Sequence, residues 1–120
     1  MTQIFRCAVV LACSIMAYGL SSMSQSVSAA DGDSAKGKPI FQAKCVSCHG
    51  PAGKGDGPIG KKLKPPAPDF TSAASKAKSQ DELRNIIENG IPKTAMKAYK
   101  KQLTEAEIQD VLAYVLALQK

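Results

Sequence analysis

Cys45, Val46, Ser47, Cys48 and His49 read Cys-x-x-Cys-His, the spacing at which a c-type haem is attached. Two thiols separated by two residues can reach the two vinyl groups on one edge of a haem. The adjacent His can then place a ring nitrogen on the iron. Other uses of Cys-x-x-Cys fit the chain poorly. A dithiol redox pair needs a βαβ setting, and no alternation of strands and helices is legible. A structural zinc site wants four ligands. His49 is the only histidine, and the other cysteines, Cys7 and Cys13, lie in a segment that reads as a leader.

A six-coordinate iron needs a second axial group opposite His49. Met1, Met16 and Met23 fall in the same leader, which leaves Met96 as the remaining thioether. Thioether sulfur is a soft ligand that favours ferrous iron and raises the reduction potential. A Lys ligand or an empty sixth position are the alternatives; two His ligands from one chain are excluded by the count.

These groups need elements to hold them. Residues 34–49 predict a first helix with the haem motif near its end, Ile40, Phe41, Lys44 and Cys45 lying at helical spacing. Pro39 is tolerated only in a first turn, so the helix proper is expected to begin near Gly37 or Lys38. Residues 50–70 are rich in Gly and Pro and predict a loop. It is too long for a mere connector and is expected to wrap the haem edge. Its segment 55–62 approaches a P-loop but has no Ser or Thr after Lys61 and no preceding strand, which excludes nucleotide binding. Residues 79–89 predict a helix opened by a Ser79–Glu82 capping box and stopped by Gly90 and Pro92. Residues 104–119 predict another, opened by Thr104 and Glu107, with Ile108, Val111, Leu112, Val115, Leu116 and Leu118 on a buried face. Met96 sits in the loop between these two helices. The fold expected is all-α, with three to four helices wrapped around one covalently bound haem.

Residues 1–30 read as a secretory signal peptide. Arg6 ends a short basic region, an apolar run follows over residues 7–20, and small residues allow cleavage after Ala29 or Ala30. The run is shorter than the roughly 18–20 residues that span a bilayer, so no stable membrane span is expected in the mature chain. Lipoprotein anchoring at Cys13 fits less well, because the apolar run before it is very short and continues after it. Residues 31–120 then form one domain, too small to bury much apolar surface alone. Trp is absent and aromatics make up only 5% of the chain, so a haem would supply much of the core. Export agrees with the haem motif and places the protein in a periplasm. The formal net charge of +6 rests on grouped lysines: Lys36 and Lys38; Lys61, Lys62 and Lys64; Lys97, Lys100 and Lys101. These either steer acidic redox partners or serve as ordinary solubilising charge. Nucleic-acid binding is excluded by the lack of a basic stripe interleaved with aromatics.

This order of parts resembles the class I c-type cytochromes, small exported all-α electron carriers, over residues 34–119. Residues 37–41, Gly-Lys-Pro-Ile-Phe, are similar to the Gly-x-x-x-Phe of the family's first helix. The resemblance implies that Gly37 allows a close crossing by the last helix, with Tyr114 as the aromatic at that crossing. It implies haem c on Cys45 and Cys48, with His49 and Met96 on the iron. Residues 67–70 are similar to a Pro-x-Leu segment. By that likeness the Pro68 carbonyl accepts the His49 Nδ1 proton, with Pro65 and Pro66 competing for the role, and Phe70 packs on the haem. Residues 90–96 resemble the methionine loop, with Tyr99 at its aromatic position. The chain departs from the family in having Lys97, where Pro often follows the ligand Met. The resemblance also implies a weak far-red band in the ferric protein, the mark of methionine on iron.

The function expected is single-electron transfer between periplasmic redox proteins that present acidic docking surfaces, with no bond chemistry and hence no enzyme activity. The alternatives are a CO or NO binder in which Met96 detaches, and a dedicated cytochrome subunit of a periplasmic dehydrogenase or oxidase.

Overall fold

The computed structural model describes residues 32–120; the expected leader, with Cys7, Cys13 and three of the methionines, lies outside them. Five helices follow in order: α1 Ser34–Lys44, α2 Val46–His49, α3 Ala73–Lys76, α4 Gln80–Asn89 and α5 Glu105–Leu118. A single 3-10 turn spans Gly60–Lys62, and no strand occurs among the described residues.

The first helix starts earlier than Pro39 suggests. Asp33 caps it, its carboxylate accepting from the N–H of Ala35 at 2.8 Å and of Lys36 at 3.4 Å. Ser34–Lys36 are therefore helical, and Pro39 sits inside the helix. The carbonyl four residues back, which the proline leaves without a partner, belongs to exposed Ala35, where water can reach it. The second departure is a break at Cys45, with φ −114° and ψ −32°. The expected single helix over 34–49 is thus two, and α2 is one turn that carries the rest of the haem motif.

The core is the crossing of α1 and α5. Phe41 is 1% exposed and faces Ile108, Val111 and Val115, all buried. Gly37 sets the approach: a Cβ built there would fall on the Asp110 carbonyl. Tyr114 packs its ring on Phe41 with centroids 5.2 Å apart, as the resemblance implied. Asp110 also accepts from the Asp33 N–H at 2.7 Å, tying the start of α1 to α5.

α5 opens with the full capping box. Thr104 Oγ1 accepts from the Glu107 N–H at 3.3 Å, and Glu107 accepts from the Thr104 N–H at 2.8 Å. At α4 only half of the expected box forms. Ser79 accepts from the Glu82 N–H at 3.1 Å, but the Glu82 carboxylate turns to Lys78 Nζ at 2.7 Å. A charged partner outcompetes a backbone amide for that carboxylate. Arg84 joins α4 to α5 through an ion pair with Glu105, and it also binds Glu88 at 2.7 Å.

Candidate haem site

The Cys45 break decides how the motif is presented. The Cys48 and His49 N–H groups both donate to the Cys45 carbonyl, at 3.2 and 2.9 Å. Cys45 and Cys48 are half-buried free thiols. Burial pushes the Cys45 thiol up to about 11, against a lowering by Lys44.

The His49 ring lies over Phe70, with centroids 4.7 Å apart and planes 27° from parallel. Phe70 in turn meets Phe41 edge-on at 6.3 Å. Burial holds the imidazole below its ordinary value of 6.5, so it is neutral at pH 7 and can offer a lone pair to a metal. Its Nδ1 is buried and has no hydrogen-bond partner. The bond expected from the Pro68 carbonyl is thus not formed in the chain itself. Stacking on Phe70 sets the ring plane instead, and the Pro68 oxygen lies beside Gly55.

Two adjoining clefts meet at this histidine, with cavity volumes of about 120 Å³ for the inner and 400 Å³ for the outer. The outer cleft falls in the range of small-molecule sites, about 300–1,000 Å³, and the inner one extends it as a narrow apolar recess. Six residues line both: Cys45, His49, Pro68, Ile91, Met96 and Tyr99. Five of these are predicted site residues. Cys48 lines only the outer cleft and Phe70 only the inner one. Pro65 and Pro66 line only the outer cleft, so Pro68 is the proline placed between the two.

The inner cleft is apolar. Six of the eight buried core side chains face it: Phe41, Phe70, Leu83, Leu103, Val111 and Val115. A flat apolar group with two anchoring vinyls and an iron matches this donor set. It offers two thiols and an imidazole on one segment, a thioether on another, and a greasy interior between them. The unpartnered polar atom sits on the ring that would hold the iron.

Loop 50–70 contains the 3-10 turn Gly60–Lys62. It folds back on the haem motif: Ile59 N–H donates to the Ser47 carbonyl and Gly55 N–H to the His49 carbonyl, each at 2.9 Å. A Cβ on Gly60 would strike the Cys48 carbonyl. The glycines therefore serve a backbone-on-backbone contact that buttresses the motif.

The methionine loop is closed by its own bonds. Ile91 N–H donates to the Met96 carbonyl at 3.1 Å, and Thr94 Oγ1 donates to the Ile91 carbonyl at 2.8 Å while accepting from the Met96 N–H at 3.2 Å. Gly90 and Lys93 take positive φ of 69° and 61° to make the turn. Tyr99 then crosses to the motif, its hydroxyl donating to the Lys44 carbonyl at 3.2 Å. Burial first, and the neighbouring cysteines next, push its phenol above the ordinary value.

Among the wall residues beyond the expected set, four stand out. Ser75 and Lys78 line the inner cleft, in a stretch with no periodicity to reveal it. Ser75 is buried, its hydroxyl donating to the Asp69 carbonyl at 2.7 Å. Ile91 at both clefts and Ile59 at the outer one are 41% and 51% exposed. Their signal was available: each is a large apolar residue in a Gly- or Pro-containing loop, Ile59 sharing its loop with Leu63 and Phe70. Of the grouped lysines only Lys97 lines the outer cleft, joined there by Lys44.

Comparison with known proteins agrees with this geometry. The family described as Cytochrome c matches residues 34–119. The chain is 42% identical over 89 residues to a cytochrome c6 of Rippkaea orientalis, covering 72% of this chain and 71% of the relative. It is 36% identical over 87 residues to a cytochrome c6 of Synechococcus sp., covering 70% and 69%. The solved cytochrome c6 of the diatom Phaeodactylum tricornutum superposes with a TM-score of 0.54 at 29% identity, covering 73% of this chain and 95% of that one. This all-α chain belongs to the cytochrome c family. It is a monohaem electron-transfer protein with covalently bound haem c, and Cys45 and Cys48 are consistent with the attachment motif.

Proposed function

We propose that the protein is a diffusible, non-enzymatic electron carrier of the periplasm, exported by its leader and using His49 and Met96 as the two axial ligands. The single observation that supports this best is the shared wall of the two clefts, where His49 and Met96 come from separate segments onto one cavity. The bound haem supplies a one-electron couple between ferric and ferrous iron.

The rest is the work of the chain. Phe70 fixes the plane of His49, and burial keeps that imidazole neutral. Nδ1 has no partner in the chain, so the ring's orientation rests on Phe70 rather than on the Pro68 carbonyl. The Met96 thioether and the apolar inner wall both favour the ferrous state and raise the potential. Neither axial group has to move for an electron to pass.

At the open side, Ile59 and Ile91 offer apolar contact while Lys44 and Lys97 supply positive charge. This combination suits a partner whose acidic rim is steered in before a small apolar patch docks. With the one histidine committed to iron, the site has no imidazole to serve as a general base. No helix among the described residues is long and apolar enough to cross a membrane.

A redox titration tests the carrier reading: a single one-electron wave at positive potential is expected, and a strongly negative wave refutes it. Met96→Ala tests the ligand, and should remove the far-red ferric band and lower the potential. An unchanged spectrum rules Met96 out. Rapid CO binding by the ferrous parent protein favours the ligand-binding alternative.

A further inference from the structure

Tyr99 is tied to the molecule at both of its ends. Its hydroxyl donates to the Lys44 carbonyl at 3.2 Å, across 55 positions of sequence. The break at Cys45 makes that acceptor available. In an unbroken helix the Cys48 N–H would reach Lys44, but here it donates to the Cys45 carbonyl at 3.2 Å. The kink that presents the two cysteines thus leaves a helix-end carbonyl in need of a donor, and Tyr99 supplies one.

The main chain of Tyr99 is held as firmly. Its N–H donates to the Ile87 carbonyl at 3.0 Å, and its carbonyl accepts from Gln102 and Leu103 at 2.8 and 2.9 Å. Met96 lies three residues before it, and both line the two clefts. Between them stands exposed Lys97, whose backbone has the φ freedom a proline would remove.

We propose that the bond from the Tyr99 hydroxyl to the Lys44 carbonyl is a latch: it holds the methionine loop against the haem-bearing segment and sets how readily the sixth position of the iron opens to a small ligand such as CO. The latch rests on the reading of Met96 as the sixth ligand. Tyr99 is a positioning residue, acting through the loop that carries the ligand.

Tyr99→Phe in the haem-loaded protein tests it, because the ring and its packing stay and only the donor goes. Stopped-flow CO binding to the ferrous variant should be about fivefold faster than to the parent, the scale of one lost hydrogen bond. An unchanged rate overturns the latch. Heating gives a second readout. In the variant the far-red ferric band should fade at a lower temperature than the helical circular dichroism, with a wider gap than in the parent. If band and helix signal shift together, Tyr99 is only a structural prop and the proposal falls. Met96→Ala separates the two readings. If that variant leaves the spectrum unchanged, the ligand assignment fails and the latch falls with it; if it removes the band while Tyr99→Phe leaves the CO rate unchanged, the latch alone fails.

Discussion

Phe70 links the motif to the core at the level of single side chains. One face meets His49 and its edge meets Phe41. Phe70→Ala should cost about 3–5 kcal/mol, the range for deleting a buried aromatic ring, measured by denaturant unfolding of the haem-loaded protein. It should also loosen His49, seen as a broadened ferric spectrum. The ligand-type residues were legible because their chemistry is rare: one histidine and one motif fixed by spacing. The role of Phe70 against His49 was not, since nothing in a sequence says which aromatic lies flat on which ring. Ser75 and Lys78 were illegible for a related reason, as polar residues enter an apolar wall only through the path of the chain.

Helix caps and crossings carry the next level. A methyl at Gly37 would meet backbone rather than a side chain that could turn away, so Gly37→Ala should destabilise by about 3 kcal/mol, at the upper end of overpacking costs. Chemical denaturation of the variant measures it. The α5 capping box gives a pH dependence. Hydrogen bonds from the Thr104 N–H and hydroxyl hold the Glu107 carboxyl below its ordinary value of 4.5. A carboxyl depressed in the folded state adds stability above its unfolded pKa and loses it as pH falls through the folded one. The thermal midpoint should therefore drop below about pH 4.5, and Glu107→Gln should flatten that part of the profile. Both caps were readable because Ser and Thr three residues before Glu is a local signal. The early start of α1 was not, because Asp33 and the α5 crossing outweigh the local cost of Pro39. The short α3 turn escaped notice because four residues carry no periodicity.

At the scale of the whole molecule, charge and cofactor decide behaviour. Electron transfer to an acidic partner protein should slow about tenfold as the screening length falls from roughly 30 Å at 0.01 M salt to 8 Å at 0.15 M. Stopped-flow rates at several ionic strengths measure this, and Lys44→Glu with Lys97→Glu should abolish the slope. The core points the same way as the motif, since most of its buried side chains face the inner cleft. Replacing Cys45 and Cys48 by Ser should yield a haem-free chain that unfolds without a cooperative transition, as judged by calorimetry.

Lining the cleft with the core also governs the fate of the chain in the cell. Proteases cut proteins in proportion to the population of their open state. A chain whose interior closes only around its cargo is open until loaded and shut thereafter. Degradation would then remove empty copies and spare charged ones.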